Sequence, residues 1–110
     1  SIRSFVENFK ATGKSLQILI NNAGVMNSWS DSQRHCVRGD ESLEETMMVN
    51  CMGPFLLTNL LLHKLEESAS KENLSRIVNV SSNMVNFKST EWPIDLDDIM
   101  LENTDTLKSA

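Results

Sequence analysis

The sequence predicts an α/β fold in which helices alternate with the strands of a parallel sheet. A stripe of apolar residues at helical spacing precedes a short, nearly continuous apolar strand at residues 16–20. A long helical segment then runs from residue 42 to about residue 67, and a second, β-branched strand follows at residues 77–80. This order of helix, strand, long helix and strand predicts a βαβ crossover with a helix in front, a connection that is right-handed in nearly all known sheets.

The first helix is predicted from four apolar residues on one face. Ile2, Phe5, Val6 and Phe9 occupy positions i, i+3, i+4 and i+7, which is the spacing of an amphipathic helix. Gly13 follows where a helix commonly ends on a glycine. We therefore expect a helix that carries this stripe and ends at about Gly13.

The first strand leads into a run of small and polar residues. A nearly continuous apolar run is typical of a parallel strand covered on both faces, and Asn21-Asn22-Ala23-Gly24 comes directly after it. Open α/β sheets bind ligands outside the carboxyl ends of their strands. We expect this segment to border a ligand crevice, with a polar loop over residues 25–39 above it.

The long helix is predicted from a cap and from spaced apolar residues. Ser42 and Glu45 form a potential capping box, in which each side chain bonds the other's backbone N–H. The apolar positions are Leu43, Met47, Leu57, Leu61 and Leu65, and the methionines Met47, Met48 and Met52 are interpreted as core filler.

Pro54 conflicts with this helix. Proline has no N–H, so the carbonyl of Asn50 loses its helical donor, and Gly53 loosens the same turn. One interpretation is a tolerated kink. The other is that the Asn50 carbonyl is presented to an ordered water beside the crevice, because an unpaired buried carbonyl usually finds a partner.

Two serines close the second strand at its carboxyl end. Ser81 and Ser82 could simply end the strand by local bonds to backbone. No Gly-x-Ser-x-Gly elbow is present in the sequence, so a nucleophilic serine of that type is not predicted. We expect Ser82 to donate a hydrogen bond to a substrate oxygen.

Other classes of site and partner are disfavoured. The net charge of −5 argues against nucleic-acid binding, which requires a basic surface. Cys36 and Cys51 lie in unrelated contexts, which is typical of reduced thiols inside a cell. No metal site is predicted, because His35, Cys36 and His63 lack ligand spacing. The acidic loop of residues 91–98 lacks an EF-hand pattern, and a short helix is predicted after it at 99–102. His63 is expected on the solvated side of the long helix.

Three segments resemble successive motifs of the short-chain dehydrogenases/reductases. They are Leu19-Ile20-Asn21-Asn22-Ala23-Gly24-Val25, Met48-Val49-Asn50-Cys51-Met52-Gly53-Pro54-Phe55 and Arg76-Ile77-Val78-Asn79-Val80-Ser81-Ser82. Their order and spacing match the family as well. Residues 55–62 and the long loop after Ser82 look most like the retinol dehydrogenase-like branch.

The resemblance implies a Rossmann-type, doubly wound parallel sheet and specific site residues. Asn22, Ala23 and Gly24 would line the site of an NAD or NADP cofactor and steady the central sheet. The main-chain carbonyl of Asn50 would hold a water in a proton relay. Ser82 would orient the substrate carbonyl or hydroxyl.

Two parts of the family's machinery are absent from the sequence. The Gly-rich turn that binds the cofactor pyrophosphate would precede Ser1, and the Tyr-x-x-x-Lys pair would follow Ser82, yet the chain has no tyrosine. Residues 107–110 look like the run before that tyrosine. We therefore interpret residues 1–110 as the central part of a single NAD(P)-binding Rossmann domain, inactive alone and poorly stable, because open sheet edges invite aggregation.

The resemblance implies an oxidoreductase that interconverts an alcohol and a carbonyl on a lipophilic substrate, such as a retinoid or steroid, by hydride transfer. The alternative is a truncated, non-catalytic relative that acts as a binding or dimerisation partner through the long helix. A Tyr-x-x-x-Lys after Ala110 in the coding sequence would favour the enzyme, and a stop codon there the binding protein. A third alternative is a different Rossmann-type enzyme, such as a sugar epimerase of the extended group. Those proteins resemble this chain less in the segment Asn21-Asn22-Ala23-Gly24. The expected location is intracellular, in the cytoplasm or at an endoplasmic reticulum or mitochondrial membrane, with membrane anchoring left open.

Overall fold

The computed structural model describes residues 1–26 and 45–82. In chain order they form α1 (Ile2–Ala11), β1 (Ile18–Asn21), α2 (Glu45–Met47), a π-helical turn (Met48–Met52), α3 (Gly53–Ser68) and β2 (Arg76–Asn79). Ser42 and Leu43, together with the acidic loop and the short helix predicted after it, lie outside the described residues. None of the helices in the described ranges is long and apolar enough to cross a membrane.

Helix α1 confirms the prediction from the apolar stripe. The Ser1 hydroxyl caps its first turn by accepting the Ser4 N–H at 3.3 Å. Gly13 has a φ of +67° just after the helix, a conformation that costs glycine far less than residues with a Cβ. Val6 is fully buried, whereas Phe5 is 56% exposed. The helix therefore contributes only part of its stripe to the core.

Strands β1 and β2 pair in parallel, which confirms the predicted α/β crossover. Ile18 is paired with Arg76, and Asn21 with Asn79. The first strand begins two residues later than predicted, because the Leu16 N–H donates to the Ser68 hydroxyl at 2.9 Å instead of to a strand. The chain is thereby tied to the end of α3 before it enters the sheet.

One face of the sheet packs on the helices. Leu19 is buried with Val6, Leu61 and Leu65 in a small apolar core. On the other face, Ile18 and Ile20 are more than half exposed. The expectation that β1 is covered on both faces is therefore not met in the described part of the chain, where helices lie only on the side of Leu19.

The long predicted helix is interrupted. Instead of one α-helix to about residue 67, the chain has the three residues of α2, the π turn Met48–Met52, and then α3. The interruption lies directly before Pro54, which cannot donate to the carbonyl four residues earlier and clashes with it. The extra residue in the π turn accommodates the proline.

One of the three methionines of this segment does not fill a core. Met52 is 45% exposed, and Met47 and Met48 are only half-buried. The prediction that they pack inside is therefore wrong for Met52.

Candidate functional site

The carboxyl ends of both strands lie at one edge of the sheet. The pairing continues past Asn21 and Asn79, since the Val80 N–H donates to the Asn21 carbonyl at 2.9 Å. Asn22, Ala23 and Gly24 follow β1, and Ser81 and Ser82 follow β2, and all five are exposed. The small residues after one strand thus leave the sheet on the same edge as the hydroxyls after the other.

Asn50 joins the π turn to this edge through its side chain. Its Oδ1 accepts the Val25 N–H at 2.8 Å, and its Nδ2 donates to the Val25 carbonyl, also at 2.8 Å. A carboxamide that satisfies both backbone groups of one residue holds that residue in a defined orientation. This clamp fixes the chain immediately after Gly24.

The π turn that carries Asn50 depends on Gly53. The Gly53 N–H donates to the carbonyl of Met48, five residues earlier. A Cβ at position 53 would lie 3.1 Å from that carbonyl oxygen. Turns of this kind occur frequently at functional sites. The Gly-Pro pair, for which a kink was one of two interpretations, therefore lies at a specific local structure, the π turn.

A buried amide ties both strands to α3. The Asn21 Nδ2 donates to the Asn79 Oδ1 at 2.8 Å and to the Thr58 hydroxyl at 3.0 Å. Asn21 is only 9% exposed, Thr58 is half-buried and Asn79 exposed. We call Asn21, Thr58 and Asn79 the amide triad.

The remaining candidate residues do not form a site in the described ranges. Cys51 is exposed with a free thiol, and no cluster of metal-ligating side chains is found among these residues. His35 and Cys36 lie outside them. The expectation for His63 is confirmed, since its side chain is 79% exposed and its Nε2 lies 3.1 Å from Glu67.

The charges near His63 belong to the end of α3. Lys64 donates to Glu67 at 2.8 Å, and this hydrogen bond and the positive charge of Lys64 hold the pKa of Glu67 below its ordinary value. Exposed pairs of this kind contribute little to stability. We assign them no role in the candidate site.

A shallow depression lies at the opposite end of β2. Leu62, Leu65, Ser75 and Ile77 are among the residues that line it. The Ser75 hydroxyl is buried there without a hydrogen-bond partner among the described residues. It lies at the amino end of β2, away from the edge where parallel sheets hold ligands.

The predicted site residues are thus partly brought together. Asn50 reaches the segment after Asn22–Gly24 through Val25, and Ser82 leaves the sheet at the same edge. Sequence reasoning missed Val25 and the amide triad. A signal existed for one pair, because Asn21 lies three residues before the predicted site residue Gly24, and Asn79 lies three residues before the predicted site residue Ser82.

Comparison with known proteins identifies the family. Residues 1–94 match the family model described as short chain dehydrogenase. Human polyprenol dehydrogenase is 46% identical over 82 residues, which are 74% of this chain and 23% of that protein. Human retinol dehydrogenase 11 is 49% identical over 82 residues, again 74% and 23% of the two chains.

A plant relative matches over a longer stretch. The chloroplastic short-chain dehydrogenase TIC 32 A of Brassica napus is 42% identical over 92 residues, which are 83% of this chain and 27% of that protein. No solved structure matches significantly. The chain belongs to the short-chain dehydrogenase family, and the parallel α/β fold and its retinol dehydrogenase-like character agree with this assignment. It spans about a quarter of the length of the curated relatives it matches.

Proposed function

We propose that this chain is the central part of an NAD(P)-binding domain in an oxidoreductase that interconverts an alcohol and a carbonyl. The observation that carries the proposal is the meeting of three features at one sheet edge. These are the exposed segment Asn22–Gly24, the exposed Ser82 and the clamp of Asn50 on Val25. Membership of the family supplies the reaction class.

The residues after β1 fit a nucleotide cofactor. Asn22, Ala23 and Gly24 are exposed and carry no bulky side chain, so a ligand can approach their backbone. A Cβ at Gly24 would make only ordinary contact, 3.6 Å from Asn50 Oδ1. A nicotinamide cofactor, NAD or NADP, supplies the hydride chemistry when bound.

Ser82 and Asn50 have separate proposed roles beside the cofactor. The Ser82 hydroxyl would donate a hydrogen bond to the substrate oxygen and hold it in place. The Asn50 carbonyl would hold an ordered water in a proton relay, since Pro54 cannot donate to it. Its side chain would meanwhile keep Val25 in position. It would thereby also fix the adjacent segment Asn22–Gly24, which we call the cofactor wall.

We propose a lipophilic alcohol or carbonyl as the substrate. The printed names of two similar proteins, polyprenol dehydrogenase and retinol dehydrogenase 11, specify alcohols. We also propose an intracellular location for the parent protein.

A chimeric enzyme tests this function. In it, the present chain replaces the segment of human retinol dehydrogenase 11 that it matches, and turnover is measured with retinol and with NAD or NADP. We expect turnover within about tenfold of the unaltered recipient if the present chain places the reacting groups correctly. A misplacement of these groups by about 1 Å would cost about 100-fold in turnover. The 110-residue chain alone should show no turnover, because it contains no tyrosine to act as the family's acid. Turnover by the chain alone, or none by a folded chimera, would contradict the proposal.

A second candidate function is association through α3. Phe55 and Leu62 on this helix, and Met52 at its N-cap, are 69%, 41% and 45% exposed, and their spacing places them on one side. A folded chimera without turnover that dimerises, and whose dimer dissociates in Phe55→Glu, would favour this function.

Gly53→Ala should destabilise the chimera and lower its turnover. The new Cβ would lie 3.1 Å from a backbone oxygen that cannot rotate away, and overpacking of this kind costs about 1–3 kcal/mol. The free energy of unfolding is measured by denaturant titration. Gly24→Ala is the matched control for added volume, because its Cβ would have room. Equal stability of the two variants would show that the π turn does not need a glycine.

A further inference from the structure

The amide triad joins three elements at one point. Asn21 is the last residue of β1, Asn79 the last residue of β2, and Thr58 lies in α3. Both donor hydrogens of the Asn21 amide are used, one on each partner, at 2.8 Å and 3.0 Å. The Asn21 Oδ1 is buried and has no hydrogen-bond partner among the described residues.

The position of the triad matters because of the strand register. Asn21 and Asn79 are directly paired in the parallel ladder, so their side chains lie on the same face. A slip by one residue would move one strand's side chains to the opposite face. The Asn21 amide would then lose Asn79 and would be buried beside an aliphatic residue, Val78 or Val80, at a high cost in free energy.

We infer that the amide triad fixes the register of β1 and β2 and the distance of both from α3, and thereby positions Ser82 against the cofactor wall Asn22–Gly24. These three residues are positioning residues, and the inference rests on the proposed function. The strand ends are only one residue from Asn22 and three from Ser82. An error in register at Asn21 would therefore reach both parts of the site.

The contribution of this triad to stability can be separated from its effect on the position of the site. Replacing one partner of a buried hydrogen bond leaves the other unsatisfied, whereas replacing both by apolar groups can be nearly neutral. A buried polar pair can set register without adding stability, as single buried asparagines do in coiled coils. The double variant Asn21→Leu/Asn79→Leu should therefore melt close to the parent.

The decisive test uses two changes at Thr58 in the chimeric enzyme. Thr58→Val removes the hydroxyl at nearly constant shape, and Thr58→Ser keeps it. We expect kcat to fall about tenfold or more in Thr58→Val and to change less than about twofold in Thr58→Ser, because the lost bond displaces the reacting groups. Cofactor Kd should be similar in both, whereas the thermal midpoint should fall in Thr58→Val, because the buried Asn21 amide loses one acceptor.

A second matched pair tests the strand contact. Asn79→Asp keeps an acceptor for the Asn21 Nδ2, whereas Asn79→Leu does not. The first should retain kcat and the second should lose it, while Ile77→Val on the same strand serves as a control for small packing changes. Equal losses within either matched pair, or no loss in Thr58→Val and Asn79→Leu, would overturn the inference.

The register itself provides a readout that does not need turnover. If the unsubstituted chimera is inactive, the proposed function fails, and crystal structures of the parent chimera and of Asn21→Leu/Asn79→Leu decide the inference. A changed offset between β1 and β2, or a changed distance of either from α3, would support the triad as the device that sets the register. An unchanged arrangement would overturn it.

Discussion

Ser82→Ala in the chimeric enzyme should lower kcat by about 100- to 1,000-fold, the usual cost of removing one hydrogen-bond donor from a reacting oxygen. Ser82 lies exposed at the carboxyl end of β2, at the same edge as the proposed cofactor wall. Its hydroxyl would contact the substrate and not the nucleotide. Cofactor affinity, measured by fluorescence titration, should therefore stay nearly unchanged.

Ser81→Ala is the matched control for Ser82→Ala. The two serines are adjacent and both exposed, so the control removes an equivalent hydroxyl from the same strand end. We expect kcat of Ser81→Ala to remain within about threefold of the parent, because only an interaction made in the transition state lowers kcat and kcat/KM together. If Ser82→Ala lost turnover and cofactor affinity equally, Ser82 would be a structural residue.

Asn50→Leu should lower kcat by about 10- to 100-fold through misplacement of the reacting groups. The substitution removes both bonds to Val25, at 2.8 Å each. The effect on stability should be smaller than the effect on turnover, because Asn50 is exposed and water can replace the lost bonds. Turnover and thermal midpoint are measured on the same preparation.

Asn59→Leu is the control for Asn50→Leu. Asn59 is an exposed asparagine on α3, whose Nδ2 donates to the Phe55 carbonyl one turn earlier. Its loss should leave turnover unchanged, because the bond is local to the helix. Asn50→Asp adds a further distinction, since it keeps an acceptor for the Val25 N–H but sets a carboxylate against the Val25 carbonyl. Parent-like turnover in Asn50→Leu would show that the clamp does not position the site.

The main elements of the fold could be predicted from local patterns. The apolar stripe of Ile2, Val6 and Phe9 and the glycine at position 13 predicted α1, because helical spacing and a left-handed C-terminal residue are properties of neighbouring residues. The β-branched run before Ser81 predicted β2 within one residue. The parallel pairing followed from the long crossover between the strands.

Exact boundaries and faces could not be predicted in the same way. The start of β1 moved from residue 16 to Ile18 because Leu16 is bonded to Ser68, which lies 52 residues away. Pro54 predicted a disturbed helix, yet a kink and a π turn both relieve the missing N–H. The choice between them depended on Gly53, which allows its N–H to reach the Met48 carbonyl.

The sequence by itself determined the parallel α/β order and the presence of the motif residues Asn22–Gly24, Asn50 and Ser82. Only the tertiary structure decided which partners those residues and their neighbours have. Asn50 bonds Val25 across 25 residues, and Asn21 bonds Thr58 and Asn79 across 37 and 58 residues. Such contacts depend on how the crossover helix packs against the sheet, and no local pattern of residues specifies that packing.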